Sequence, residues 1–472
     1  MIKKNESVCA EVIGIGSNGE GIIRHEGVTF FVPYSLPSEK IRFKVLKVKG
    51  NIGYGKIEEI LIPSKERIPP KCSVFEKCGG CCFQHLRYDG QLIHKGGVVK
   101  DALRKIGGLN VEVPTAIASD LPYGYRNKLQ LPIGVDKEGN TVIGFYAEHS
   151  HRIIPLETCA IHPAWAEKLI KVIKRFVEET GVKGYDEEHK TGTLRHIVAR
   201  EIDGKFIFTL VCAKRGLRQV DRLIALLKAD FEAFTLYLNV NDKDTNVIFG
   251  EEFFLVYGEG FFEGKEQGIR YEAGPVTFLQ VNENVRTKLY ESALSTVVKE
   301  GDEVVVDAYS GGGLLTAMIA KKAKRVYGIE LEKEASDCAD KLKAKNDLTN
   351  MTNICGYVEE KLPAVLEKEK GEKLRLILDP PRAGIARSVL KALLASGIPT
   401  LTIISCNPAT LARDLGVLTG ALMENEKGEL VKNPDYTDEG LQGYYQIFSI
   451  QPYDMFPQTK HVETLVCLAR EV

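Results

Sequence analysis

The segment best equipped for chemistry is Ser405-Cys406-Asn407-Pro408. It follows an apolar run, Leu401-Thr402-Ile403-Ile404, that predicts a buried strand, so Cys406 falls where a strand's carboxyl end opens into a loop. Ionised, a thiol at such a position is a nucleophile. Two acids are placed in a similar way. Asp379 ends the run Leu376-Ile377-Leu378-Asp379, and the two prolines after it fix a rigid loop that aims it into a cleft. Glu463 stands just before a final strand, Thr464-Leu465-Val466-Cys467-Leu468, and is a candidate proton acceptor. A separate group is Cys72-x5-Cys78-Gly79-Gly80-Cys81, followed by Cys82. Three thiolates around paired glycines can wrap one face of a metal centre, because glycine lets the backbone pass close to it. Cys159 is the best candidate for a fourth ligand, with Cys82 and His85 as rivals, and ligand type alone leaves zinc open.

These groups need a scaffold, and from Phe278 onward the chain reads as repeated strand–helix units. Glu303–Asp307 is a strand, Tyr309-Ser310-Gly311-Gly312-Gly313 a glycine turn, and Leu314–Ala320 the start of an amphipathic helix. The glycines let backbone approach a ligand, and the helix amino end favours groups that accept hydrogen bonds. The next strand ends in Glu330, whose carboxylate can accept both ribose hydroxyls of an adenosine-bearing cofactor. The turn after the first of these strands does not read G-x-G-x-x-G and the acid follows Gly313 by 17 residues, which favours S-adenosylmethionine over a nicotinamide. Amino-group methylases typically follow Asp-Pro-Pro with an aromatic residue, whereas here Arg382 follows and Cys406 lies one strand later. That combination suits methylation of carbon 5 of uracil, a poor nucleophile until a thiolate adds at carbon 6, and a base must afterwards remove the carbon 5 proton.

At 472 residues the chain is too long for one ordinary core. Its 44% hydrophobic and 27% charged content are those of a soluble globular protein, and no run approaches the roughly 20 apolar residues of a membrane span. With no signal-peptide pattern at the start, the expectation is a cytoplasmic protein whose eleven cysteines serve metal or catalysis rather than disulfides. Residues 1–110 carry 18 Lys+Arg against 11 Asp+Glu and the remainder 45 against 53, so the basic part is at the front and is compatible with phosphate contacts. Residues 1–62 read as all β, with about five short strands that suit a small barrel. Lys44, Lys47, Lys49 and Tyr54 would give it a basic, partly aromatic face for single-stranded nucleic acid. This segment resembles a TRAM domain, an RNA-binding barrel. Residues 63–275 read as a central α+β domain carrying the cysteine group, and residues 276–472 as the catalytic domain. In the central domain Tyr125-Arg126-Asn127-Lys128 sets two cations beside a ring, and Arg126 and Lys128 are candidate RNA contacts.

Five strings share one order with a known family: Phe278-x-Gln280-x-Asn282, Asp307-x-Tyr309-x-Gly311-x-Gly313, Asp379-Pro380-Pro381-Arg382-x-Gly384, Ser405-Cys406-Asn407-Pro408 and Asp454-Met455-Phe456-Pro457-x-Thr459-x-His461-Val462-Glu463. They resemble the motifs of the RNA (uracil-5-)-methyltransferases, and the resemblance covers nearly the whole chain. Ser310 stands where that family frequently has a cysteine and Ile403 where it frequently has an aromatic. The resemblance implies an α/β, Rossmann-like S-adenosylmethionine-dependent domain with Cys406 as nucleophile and Glu463 as base. It implies Gln280, Tyr309, Glu330 and Asp379 as cofactor contacts, and a [4Fe-4S] cluster on the Cys72, Cys78, Cys81 and Cys159 set. The pairing of barrel and cluster resembles the branch acting on 23S ribosomal RNA. The alternatives are a transfer-RNA uracil-5 methyltransferase and an inactive RNA-binding or RNA-folding protein. A monomer is expected.

Overall fold

Apolar and polar residues alternate through the first 62 positions. In the computed structural model of the chain, which describes residues 2–437 and 439–470, they form a six-stranded sheet. Numbered along the chain, the strands lie in the order 1-5-6-4-3-2. The first two, Ser7–Glu11 and Gly14–Ile15, are one stretch bent at Val12 and Ile13. Val12 N–H donates to Glu39 O at 2.9 Å and Ile13 N–H to Ile22 O at 2.8 Å, so the same bent segment serves both ends of the sheet. The strand count exceeds the expected five because this bend makes two strands of one run. Phe30, Phe43, Ile23, Ile41 and Val45 are fully buried inside, with the two phenylalanine rings 5.2 Å apart.

Two compact units are present. One comprises Met1–His94, Leu121–Gly260 and Phe456–Lys460, the other Lys95–Asp120, Phe261–Met455 and His461–Val472. The expected borders at 62 and 275 divide the chain elsewhere. Within the first unit the sheet just described has its own core, and a second core lies under a seven-stranded sheet that includes Lys128–Val135, Leu194–Ile202 and Lys205–Cys212. The helix Ala164–Thr180 faces that sheet with Trp165, Leu169, Val172, Ile173 and Phe176, an apolar stripe at helical spacing, and stops at Gly181 in the left-handed region.

In the second unit the strands Val304–Ala308, Arg325–Glu330, Met351–Cys355, Leu374–Leu378, Thr400–Ser405, Gln446–Tyr453 and Glu463–Ala469 make one sheet. Counted in that order, they lie 3-2-1-4-5-7-6. The first five are parallel and nearly continuous in apolar residues, as strands covered on both faces must be. The last two run antiparallel. The strand order reverses at Val304–Ala308, which leaves a crevice beyond the carboxyl ends of Val304–Ala308 and Leu374–Leu378.

A buried ion pair fixes the segment that precedes the last strand. Lys95, from the helix Tyr88–Ala102, meets Asp454, with the side chains 1% and 0% exposed. Asp454 N–H also donates to Ile117 O at 2.9 Å. Breaking such a pair leaves one buried charge uncompensated. Lys95→Met is expected to lower unfolding stability by about 3–5 kcal/mol, measured by denaturant titration of the intact chain, and a loss within experimental scatter would show that the pair does not anchor this segment.

Candidate active site

Backbone register lines up the reactive groups along one end of the sheet. Ala308 pairs with Ile329 on one side and Leu378 on the other, so Tyr309, Glu330 and Asp379 emerge side by side. Leu378 pairs with Ile403, which brings Cys406 to the next position. Ser405 pairs with Thr464 across the antiparallel junction, so Cys406 and Glu463 stand opposite one another. Residues more than fifty positions apart in sequence are thereby set in one row by strand geometry alone.

The glycine turn is shaped for close approach. Tyr309 has φ 66°, Gly311 54° and Gly313 79°, all in the left-handed region. A Cβ at Gly313 would lie 2.7 Å from Ala339 Cβ, so only glycine fits there. Tyr309 N–H and Ser310 N–H both donate to Ile329 O, at 2.9 and 3.1 Å. Glu330 accepts from Gly311 N–H at 2.8 Å and from Glu332 N–H at 2.9 Å, which holds its carboxylate against the turn. Burial pushes Asp307 up to about 7, against the 2.6 Å bond it accepts from Thr316 and with the charges of Asp379 and Glu330 adding to the rise. Burial likewise pushes Asp379 up to about 7. Gln280 lies just ahead of the helix Glu283–Val297, whose cap, Asn282, is buried. Asn282 Nδ2 donates to Ser119 Oγ at 3.2 Å and to Met455 O at 3.3 Å, tying the Gln280 segment to the stretch before the last strand.

At the other end of the row, burial raises the Cys406 thiol, and the nearby Glu463 raises it further. The charge of the Arg382 guanidinium opposes both. Glu463 is 4% exposed; burial pushes it up to about 8, Asp379 adds to the rise and Arg382 opposes it. Arg382 is thus a cation that acts on both partners. The sequence reading used it only to set aside amino-group methylation, although its place directly after Asp-Pro-Pro was the available signal.

The cysteine group lies in the first unit. Cys72, Cys78, Cys81 and Cys159 line a single cavity of about 140 Å³, whereas Cys82 and His85 do not line it. His85 instead sits against the rings of Tyr34 and Phe75. Burial raises the thiols of Cys78, Cys81 and Cys159, the last to about 11, so these three are neutral thiols unless a cation among them rewards ionisation. His162 Nδ1 lies 3.2 Å from Cys159 Sγ. Among the described residues no three His, Cys, Asp or Glu side chains converge as a site for one metal ion. Arg126 and Lys128 line this same cavity, and Arg126 Nε is buried there without a partner. Burial, then Arg200 and Arg126, lowers Lys128 to about 8.

Comparison with known proteins gives the family. Residues 201–427 match the family model described as tRNA (Uracil-5-)-methyltransferase. An uncharacterized RNA methyltransferase of Clostridium tetani is 37% identical over 471 residues, covering 99% of this chain and 97% of its own. One from Listeria innocua is 36% identical over 470 residues, covering 99% and 98%. Among solved structures, the Pyrococcus abyssi tRNA (uracil-54, C5)-methyltransferase in complex with S-adenosyl-L-homocysteine is similar with a TM-score of 0.75 and 25% identity, covering 98% of this chain and 99% of that one. Among the described residues no helix is long and apolar enough to cross a membrane. With whole-length relatives at this identity, the chain belongs to the RNA (uracil-5-)-methyltransferase family and is an S-adenosylmethionine-dependent methyltransferase.

Proposed function

We propose that the enzyme methylates carbon 5 of one uridine in RNA through a covalent adduct at Cys406, with Glu463 as the base. The observation that carries this reading is the strand pairing that sets Cys406 opposite Glu463, with Arg382 acting on both. With its thiol proton released to solvent, Cys406 Sγ bonds to carbon 6 of the uracil, and the carbon 5–carbon 6 electron pair shifts to form an enolate on the carbon 4 carbonyl. Arg382 holds negative charge on the sulfur before the bond forms. S-adenosylmethionine, when bound, supplies an electrophilic methyl group. The residues present suit that group: a glycine turn open to close approach, the Glu330 carboxylate at the strand end, and Asp379 beside the crevice, with Gln280 and Tyr309 completing the set. After carbon 5 has taken the methyl group, Glu463 removes the carbon 5 proton, the Sγ–C6 bond breaks and the ring double bond returns. An inactive RNA-folding role would leave this assembly of thiol, base and cation without a purpose.

The RNA is read as 23S ribosomal RNA, on the pairing of an N-terminal barrel with a cysteine cluster. The bent first strand that serves both ends of the six-stranded sheet supports a TRAM-like barrel. Its Tyr54 ring lies 6.1 Å from Phe31 and pairs across strands with Lys47, a stacking platform edged with charge for a single strand. A second reading, transfer RNA, draws on the whole-length similarity to a tRNA (uracil-54, C5)-methyltransferase. Arg126 and Lys128 stay candidate contacts for the RNA, at the rim of the cysteine cavity. That cavity fits a polynuclear [4Fe-4S] centre held by Cys72, Cys78, Cys81 and Cys159: four thiols face one space, and the orphaned Arg126 Nε gives a donor for an anionic cluster. The cluster would there organise the fold of the first unit.

Incubation with labelled S-adenosylmethionine and either ribosomal or transfer RNA, followed by mapping of the methylated base, tests substrate and position together. Cys406→Ala is expected to abolish transfer, and Glu463→Gln to slow it about 10²–10⁴-fold while accumulating a protein–RNA adduct on denaturing gels; normal turnover by either variant would sink the mechanism. Anaerobically purified protein is expected to be brown, with the colour lost in Cys159→Ser but kept in Cys82→Ser; colourless protein with bound zinc would replace the cluster by that metal. The raised Glu463 also links stability to pH. Its ordinary value is 4.5 and its folded value about 8, so the folded state holds the extra proton between them. The stabilisation is complete below 4.5 and is lost as pH rises through about 8. Thermal melts of the cofactor-free enzyme from about pH 5 to about pH 9, across most of that window and past its upper end, should show a smaller loss in Glu463→Gln than in the parent; equal losses would mean that the carboxyl ionises freely in the folded protein.

A further inference from the structure

The loop that carries Arg382 is built around two residues of the helix that follows the nucleophile, Pro408–Leu418. Arg382 O accepts from Asn407 Nδ2 at 3.0 Å and from Thr410 Oγ1 at 3.3 Å. Arg413 Nη2 donates to Ala383 O at 3.0 Å and to Ile385 O at 3.2 Å. Asp414, 2% exposed, accepts from Ile385 N–H at 2.8 Å. Adjacent residues on a helix point in different directions, yet here Arg413 folds back so that Nε and Nη2 also bond Asp414 Oδ1, at 2.8 and 2.6 Å. The loop moulds onto this pair. Gly384 has φ 80°, and a Cβ there would lie 2.5 Å from Asp414 Oδ2 and 2.6 Å from Arg413 Nη2.

Arg382, Ala383 and Ile385 are therefore bonded by the one helix whose amino end follows Cys406 and by its cap. We propose that Arg413, partly exposed, and Asp414, buried, are positioning residues that hold the loop carrying Arg382 beside Cys406, so that this pair sets the reactivity of the nucleophile through Arg382. Lysine cannot replace Arg413, since one ammonium cannot span two carbonyls and a carboxylate in a planar fork. Asparagine at 414 keeps the acceptor for Ile385 N–H but removes the charge that draws Arg413 back. This inference rests on the reading of Cys406 as nucleophile.

The test compares Asp414→Asn and Arg413→Lys with the parent, alone and combined with Arg382→Ala. Methyl transfer is measured alongside the pH dependence of Cys406 alkylation, followed on the Cys406 peptide by mass spectrometry. Each clamp variant is expected to lose about 10–100-fold in kcat, to keep its KM for S-adenosylmethionine within about twofold, and to be alkylated at higher pH. In the Arg382→Ala background the same substitutions should add nothing further, because the clamp works only through that side chain. Equal losses in both backgrounds, or an unmoved alkylation profile in Arg413→Lys with a folded circular-dichroism spectrum, would overturn the proposal. Cys406→Ala that still methylated RNA would instead overturn the underlying mechanism, while leaving the loop clamp as a structural feature.

Discussion

Glu463–Ala469 is inserted antiparallel between Thr400–Ser405 and Gln446–Tyr453, and everything reactive depends on its register. A one-residue slip would turn every side chain of that strand to the opposite face. The fully buried Val466 and Leu468 would then exchange faces with the buried Leu465 and Cys467, and Glu463 would leave its place opposite Cys406. Apolar packing along the strand thus enforces the position of a carboxylate at its end. The stretch before it is pinned by interactions of different kinds: the Lys95–Asp454 ion pair, the Asn282 bond to Met455 O, and the backbone bonds between Ile117 and the Pro452–Asp454 stretch. Three separate anchors on one approach leave the strand little freedom to shift.

That placement has an electrostatic cost. Asp307, Asp379 and Glu463 are all desolvated, and each is raised towards or beyond neutrality. Such a row of acids is unfavourable while ionised and without cations, and a positively charged ligand entering the crevice favours the ionised forms again. Arg382 is the cation the chain itself supplies, and it faces the acid and thiol end of the row. A site poor in its own positive charge is complementary to a sulfonium, which carries that charge in with the methyl group.

The parts legible in the sequence were those written locally. Strand ends announced Glu330, Asp379 and Cys406, because a buried apolar run followed by a turn has one reading in a parallel sheet. The glycine turn was legible for the same reason. What was hidden depends on pairings distant in the chain. Lys95 and Asp454 are 359 positions apart, and nothing in either neighbourhood indicates the other. Asn282 was quoted within a motif without a role, since a helix cap is local but its bonds to Ser119 and Met455 are not. Arg126 and Lys128 stand in the sequence as two cations beside a ring, candidate RNA contacts, and only the fold shows that they line the cysteine cavity. The six-stranded sheet was undercounted because a bend at Val12 and Ile13 has no strong sequence signal beyond the glycines after it.

Burial also separates resting from reactive states. With its thiol raised by desolvation and by Glu463, Cys406 is protonated at neutral pH, and Glu463, at about 8, is largely protonated as well. On the proposed reading, a nucleophile and a base both held in their inactive forms are protected from adventitious electrophiles, oxidation included. Positive charge brought in beside them lowers both together, since each responds to the same local potential. The reactive forms are therefore favoured when the sulfonium is present, and the antiparallel register that crowds thiol and carboxylate together is what makes the response shared. A wider separation would leave the thiol less raised and the carboxylate more solvated, and each would then ionise without reference to the other.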